Sequence, residues 1–318
     1  MSDPVKIIFD TDIGGDCDDA GALAMLHRLC EKGEAELLAV THCNASPYVA
    51  GCIDAINRFY GRTVPVGINY AFPYSGRGVY AGALCDACPN QYPASAYGTK
   101  EAAPDTLTVL RQTLAQAEDH SVTFVVTGLL HSMARLVMSE GDEISPLTGK
   151  ELIARKIKRT VVMGGRFFES WPMPIYYDDD RNGILTTCEC NIIGDRTPSS
   201  RITCEEWPGE LVFSSFEIGG YIRSMVKFAQ RARVGDPVAL AYEVHNHDTG
   251  RFSWDHTAIL EAVRPGNYWN YHEYGRVTVD EEYITHWQPQ EGGKHTYLLP
   301  KVDYEAIRQV IDDLVDGK

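Results

Sequence analysis

Val5-Lys6-Ile7-Ile8-Phe9-Asp10-Thr11-Asp12-Ile13-Gly14-Gly15-Asp16-Cys17-Asp18-Asp19 is the stretch from which the rest of the chain can be read. Val5 to Phe9 is a short, mostly apolar run of β-branched and aromatic residues, the pattern of a buried strand. Five carboxylates follow within ten positions, with Gly14 and Gly15 among them to let the backbone turn sharply. Ala20 to Cys30 then reads as an amphipathic helix with Leu23, Leu26 and Cys30 on one face. Acidic residues at a helix start are ordinary capping chemistry, which accounts for one or two of these aspartates. Five in one turn raise one another's pKa unless a cation intervenes, so the stretch is read as a cation site at the tip of the first strand.

Outward from this stretch, strand-like and helix-like runs alternate. Further strands are expected at Glu36 to Thr41, Val64 to Gly67, Val122 to Val126, Arg159 to Met163 and Leu211 to Ser214. Helices are expected at Pro47 to Tyr60, Pro104 to Ala117, His131 to Met138, Trp254 to Val263 and Tyr304 to Leu314, with one more after Ser214. This rhythm predicts an α/β fold, an open and mostly parallel sheet with helices on both faces. Without repeats, low-complexity segments or linkers, residues 1–318 are expected to form a single domain. Two stretches stay without an assignment, Ile68 to Ala103 and Arg166 to Thr187, and segments this long in a compact fold are usually functional loops or lids. The acidic run Asp178 to Asp180 inside the second reads as a solvated loop. Asp10 to Asp19, His42 to Asn44, Thr127-Gly128 and Gly164-Gly165 each follow a predicted strand, so a parallel sheet gathers them at one edge, where such folds bind ligands.

The 318 residues are enough for a large core, and 44% apolar with 23% charged residues is a globular composition. A net charge of −15 argues against nucleic acid or an anionic membrane as partner. The N-terminus carries no apolar signal core, and nine cysteines without one point to reduced thiols in a cytoplasmic protein. Cys85-Asp-Ala-Cys88 and Cys188-Glu-Cys190 resemble halves of a zinc site, but no clean second pair completes either, and loop and core thiols are the simpler reading.

The side chains expected at the sheet edge are oxygen donors, Asp12, Asp16, Asp18, Asp19 and Asn44, to which a strand-end carbonyl such as that of Thr127 could add. Such sites favour Ca²⁺, Mg²⁺ or Mn²⁺ over Zn²⁺, and a neighbouring carboxylate can take a proton from the acidified water. Asp-x-Asp after a first strand also opens the haloacid-dehalogenase phosphatases, with Asp10 as nucleophile; that motif wants Thr or Val where Gly14 stands and leaves Asp18-Asp19 unexplained. Glu189 and Asn191, two apart, would share one face of a strand and suit sugar hydroxyls, although an exposed strand face would look the same. Asp255 falls at an expected helix start, where an N-capping role explains it by itself.

Together these segments resemble the inosine–uridine nucleoside hydrolase family over essentially the whole chain. Asp10-Thr-Asp-Ile-Gly-Gly-Asp-Cys-Asp-Asp19 looks like its aspartate signature with two extra residues before the Asp-Asp pair. Leu37 to Asn44, Thr127-Gly128, Val161 to Gly165, Glu189 to Ile193 and Trp254-Asp255 follow in the family's order. The resemblance implies Ca²⁺-dependent hydrolysis of a ribonucleoside's N-glycosidic bond, with Asp12, Asp19, Asp255 and the Thr127 carbonyl on the ion. Asp12 would also deprotonate the attacking water, Asp18, Asn44, Glu189 and Asn191 would grip the ribose, and Asp10 would support the site from behind. A carboxylate-rich pocket suits the oxocarbenium-like transition state. Many members carry His where this chain has Trp254; a purine-preferring branch resembles it in having Trp there, where stacking can favour protonation of the base, and a buried structural tryptophan is the alternative. The family's Asn after Met-Gly-Gly has no clear counterpart beyond Asn182, and His245 and His247 are remote candidates for a leaving-group acid. The same departures would fit a catalytically silent ribose-binding protein. A homodimer or homotetramer is implied by the resemblance.

Overall fold

The computed structural model describes residues 3–167 and 189–318. Six strands, β1 (Val5–Thr11), β2 (Ala35–His42), β3 (Val66–Ile68), β4 (Val122–Val126), β5 (Ile157–Met163) and β6 (Leu211–Ser214), lie parallel in the order β6-β5-β4-β1-β2-β3. The chain runs outward from β1 through β2 and β3, then returns to the other side of β1 as β4. That reversal makes the carboxyl ends of β1 and β4 a topological switch point, where open α/β sheets bind ligands. The expected helices Val49–Phe59, Thr106–Gln116, His131–Val137, Trp254–Val263 and Tyr304–Val315 are all present, each within two residues of its expected bounds. The helix after β6 is a single turn, Phe216–Gly219.

Alternation along β1 explains why both faces are covered, since Ile7 and Phe9 enter one apolar cluster and Ile8 the other. The first cluster draws on α1 (Asp18–Glu31) and on helices Val49–Phe59, Trp254–Val263 and Tyr304–Val315. The second draws on helices Thr106–Gln116, His131–Val137, Gly149–Lys156 and Ser199–Glu206. α1 departs from the amphipathic expectation, because every residue from Asp18 to His27 is buried. Its small residues let neighbours close in: a Cβ on Gly21 would lie 2.5 Å from His256 Nε2 and 2.7 Å from Tyr242 Oη. The helix that carries the acidic pair is thereby fixed from all sides.

Beyond β6 the sheet gains strands the sequence reading did not place. His295–Pro300 runs parallel beside β6, and Gly275–Val279 and Thr285–Pro289 extend that edge antiparallel. Trp269–Tyr271 pairs antiparallel with the far end of His295–Pro300. In Gly275–Val279, buried Val277 and Val279 alternate with half-exposed Arg276 and Thr278, a shorter and more polar pattern than that of the core strands. The stretch Ile68 to Ala103 contains a helix, Ala81–Ala87, and one turn of 3₁₀ helix, Ala94–Ala96. All but the first two residues of the stretch from Arg166 to Thr187 lie outside the described residues, Asp178 to Asp180 and Asn182 among them. No helix among the described residues is long and apolar enough to cross a membrane.

Candidate active site

The tips of β1, β2 and β4 are joined by backbone hydrogen bonds: Cys43 N–H donates to the Thr11 carbonyl at 3.1 Å, and Thr127 N–H to the Asp10 carbonyl at 2.8 Å. Asp12 leaves β1 at this junction, and Gly128 passes so close that a Cβ on it would lie 2.7 Å from the Asp12 nitrogen. Gly14 then takes φ +125°, and its carbonyl accepts from Val79 N–H at 2.7 Å, pinning the turn to the segment before helix Ala81–Ala87. This turn delivers Asp16, and α1 opens on Asp18 and Asp19, where the helix N-terminus favours negative charge.

Asp16, Asp18 and Asp19 form the one group of three metal-ligating side chains among the described residues, each with an oxygen within 4.8 Å of the others. Asp18 and Asp19 are buried, and so is Asp255 in the first turn of Trp254–Val263. Asp19 Oδ1 accepts from the Thr11 hydroxyl and, at 3.4 Å, from the Thr127 hydroxyl. Asp18 Oδ1 is buried without a hydrogen-bond partner, 3.7 Å from Arg251 Nε. Burial, and then the charge of Asp16, pushes the Asp12 carboxyl up to about 7. Asp18, Asp19 and Asp255 are pushed well above the carboxylate range by burial first and then by neighbouring carboxylates, Asp16 for Asp18, Asp12 for Asp19 and Asp19 for Asp255. Asp16 lies below its ordinary value: burial pushes it up, but Arg251 outweighs this, with Nη2 2.5 Å from Asp16 Oδ2. Asp12, Asp16, Asp18, Asp19 and Asp255 thus sense one another's charge, with Arg251 against them. Crowded carboxylates with an orphaned buried oxygen are a fit for a hard divalent cation.

The other predicted residues gather at the same edge. Asn44 Oδ1 lies 3.1 Å from Nδ1 of buried His131, a partner that sequence reasoning missed. Glu189 and Asn191 are not on a strand, contrary to expectation. Glu189 caps the short helix Cys190–Ile193, accepting from the N–H groups of Asn191 at 3.0 Å and Ile192 at 3.2 Å, and from Gly165 N–H at 3.2 Å. Burial still raises its carboxyl to about 7. Asn191 Nδ2 donates to the Thr127 carbonyl at 2.7 Å and the Met163 carbonyl at 3.1 Å, tying the ends of β4 and β5. Trp254 is 6% exposed, its Nε1–H donates to the Phe216 carbonyl at 2.9 Å, and its ring packs against Phe216 and Phe252. His245 Nδ1 sits 3.5 Å from Cys17 Sγ, whereas His247 ends helix Pro237–Asn246 in a left-handed conformation.

The phosphatase alternative loses its support. Asp10 is wholly buried within β1, where it accepts from the Thr41 hydroxyl at 2.5 Å, so it supports the site from behind and is in no position to attack a phosphate. No cysteine or histidine cluster for zinc forms among the described residues, Cys188 lying outside them. Asp16, expected among the oxygen donors, is held by Arg251, a residue that no motif marks and only the fold brings in.

An open α/β sheet with an oxygen-donor crevice at its switch point defines a class of enzymes that act on small ligands through a hard cation. Within that class, the chain belongs to the inosine-uridine preferring nucleoside hydrolase family, whose model matches residues 7–309, and its activity class is ribonucleoside N-ribohydrolase. The fold is similar to that of an inosine-uridine preferring nucleoside hydrolase from Bacillus anthracis (TM-score 0.68, 20% identity, covering 98% of this chain and 99% of that one). A plant nucleoside hydrolase is equally similar (0.68, 16%, 99% and 100%), and a purine-preferring ribonucleoside hydrolase from Gardnerella vaginalis nearly so (0.65, 16%, 98% and 98%). No curated protein matches the sequence.

Proposed function

We infer that the protein hydrolyses the N-glycosidic bond of ribonucleosides, with a preference for purines, using Ca²⁺ held by Asp12, Asp19, Asp255 and the Thr127 carbonyl. The observation that carries this reading is the buried set of Asp18, Asp19 and Asp255 at the switch point, with half-buried Asp12 close enough to feel and add to their repulsion. When bound, the ion supplies charge compensation and a more acidic water. Asp12 accepts the proton of the attacking water from the tip of β1. Asp18, Asn44, Glu189 and Asn191 hold the ribose hydroxyls, with Asn44 set by His131. Holding the sugar against the water turns a bimolecular attack into a local one. Negative charge around the ribose stabilises the positive character of C1′ in the transition state.

The printed preference of the Gardnerella relative supports the purine preference, and Trp254 stands beside Asp255 at the start of the same helix. The protein is further proposed to be a single-domain cytoplasmic enzyme working as a homodimer or homotetramer, an assembly that light scattering would check. Ribose release from inosine, guanosine, adenosine, uridine and cytidine, with calcium and after chelation, tests the activity. Turnover of purine nucleosides that chelation abolishes is the expected result. Tight ribose binding with no turnover of any of the five would overturn the proposal.

A further inference from the structure

The residues proposed to hold the ribose come from two pieces of chain far apart in sequence, Asn44 beyond β2 and Glu189 with Asn191 beyond β5. One buried side chain touches both pieces. His131, 0% exposed at the start of helix His131–Val137, has Nδ1 3.1 Å from Asn44 Oδ1 and Nε2 3.4 Å from the carbonyl of Gly194, which closes helix Cys190–Ile193. Its ring lies flat on Phe72, with centroids 3.8 Å apart and planes 7° from parallel. Phe72 is itself stitched to the Asn44 segment: Ala45 N–H donates to the Phe72 carbonyl at 3.0 Å, and Asn69 N–H to the Asn44 carbonyl at 3.2 Å. The imidazole is thus held between the β2 tip and the segment that carries Glu189 and Asn191.

Asn44 Oδ1 can only accept, so Nδ1 carries the hydrogen of the 3.1 Å contact, and the other end of the amide, Nδ2, turns away from His131. The 3.4 Å to Gly194 exceeds an ordinary N–H···O length and records close packing of the ring edge on the helix end. A donor at Asn44 is what the other sugar-holding residues do not supply. Asp18 and Glu189 offer carboxyl oxygens, and Asn191 Nδ2 is committed to the Thr127 and Met163 carbonyls. A ribose hydroxyl that donates to a carboxylate keeps two lone pairs, and an amide N–H suits them.

Resting on the hydrolase reading above, we propose that His131 is a positioning residue: through Asn44 it fixes which end of the amide meets the sugar, and through Gly194 it keeps the two ribose-holding pieces in register. It acts on the sugar only through these neighbours. Without the Nδ1 hydrogen bond, the Asn44 amide turns between its donor and acceptor ends, and ordering it again on binding lowers the affinity for ribose. The effect falls on how tightly the sugar is held, and the chemistry at Asp12 is left as it was.

His131→Phe keeps a ring on Phe72 and removes the hydrogen bond. It should raise the Kd for ribose, measured by calorimetry in calcium, and the KM for inosine by about 10-fold, the scale of one hydrogen bond, with kcat within about 3-fold of wild type. His131→Asn places an amide nitrogen where Nδ1 stands and should recover most of that loss, whereas His131→Gln, which carries its amide out to the Nε2 position, should not. In an Asn44→Ala background, His131→Phe should add less than about 2-fold, because the residue it acts through is gone. The calcium-induced rise in Tm should match wild type throughout, which reports a folded ion site; where His131→Phe loses it, the Asn and Gln pair decides alone. Unchanged ribose affinity in His131→Phe, a further full loss in the Asn44→Ala background, recovery by Gln rather than Asn, or a fall in kcat at constant KM would overturn the assignment. Wild-type protein that binds ribose but releases none from inosine would instead overturn the hydrolase reading, and the ribose affinities would still decide the role of His131.

Discussion

Two arginines meet carboxylates in this protein, in opposite circumstances. Arg111, 1% exposed, forks onto Asp142 with Nε and Nη2 at 2.8 and 2.9 Å, gives Nη1 to Ser139 Oγ at 2.9 Å, and reaches the Ser145 and Leu147 carbonyls. Each of its nitrogens has a partner, and it anchors the 139–147 turn to helix Thr106–Gln116. Arg251 faces Asp16 and Asp18, with Asp12, Asp19 and Asp255 close behind, and Asp18 keeps a buried oxygen without a hydrogen bond. The first arrangement is electrically complete and holds structure. The second carries more negative charge than Arg251 offsets, the deficit that the proposed cation would fill.

The sharpest way to break this contrast is Asp12→Asn. It should cut kcat for ribose release by about 1,000-fold while the circular dichroism spectrum stays that of wild type, as loss of a general base does. Retained turnover would remove Asp12 from that role. At the complete pair, Arg111→Met should cost about 3 kcal/mol in urea denaturation, from several charge-assisted hydrogen bonds lost together, yet leave the calcium response unchanged. If it altered the calcium response, the two regions would not be independent.

Calcium at about 100 times its Kd should stabilise the folded protein by about 2.7 kcal/mol, and Asp19→Asn should abolish that gain. The effect has a pH sign. Asp12, raised to about 7, and Asp18, Asp19 and Asp255, raised well above the ordinary carboxylate value, hold protons in the metal-free fold that unfolded carboxyls release near pH 4. A raised folded pKa contributes stability at low pH that is lost as pH rises through the folded value, and a cation must displace those protons. The calcium-induced rise in Tm should therefore be small at pH 5.5 and grow toward pH 8; a flat profile would place the ion elsewhere. The smallest effect belongs to Thr148→Ala, which removes the capping box of helix Gly149–Lys156. It should cost about 1 kcal/mol without touching turnover.

How much of this was legible in the sequence follows from the range of each signal. β1 and its aspartates could be read because a strand, two glycines and an acidic pair are consecutive, and the strand-end residues because a parallel sheet puts them on one edge. Glu189 and Asn191 were misplaced on a strand because two-residue spacing looks the same in a strand and in a cap followed by a helical turn. α1 read as amphipathic because alanine and glycine give no sign of which face is covered. The Asp16–Arg251 pair spans 235 positions, and nothing local to either residue announces the other. The strands between Trp269 and Pro300 are short and polar on one side, which gives periodicity little to register.

Gly128 carries a consequence for how this enzyme can diversify. Because any side chain there would collide with the Thr11 and Asp12 backbone, the spacing of the β1 and β4 tips is locked, and a change at this position would have to push the two strand ends apart.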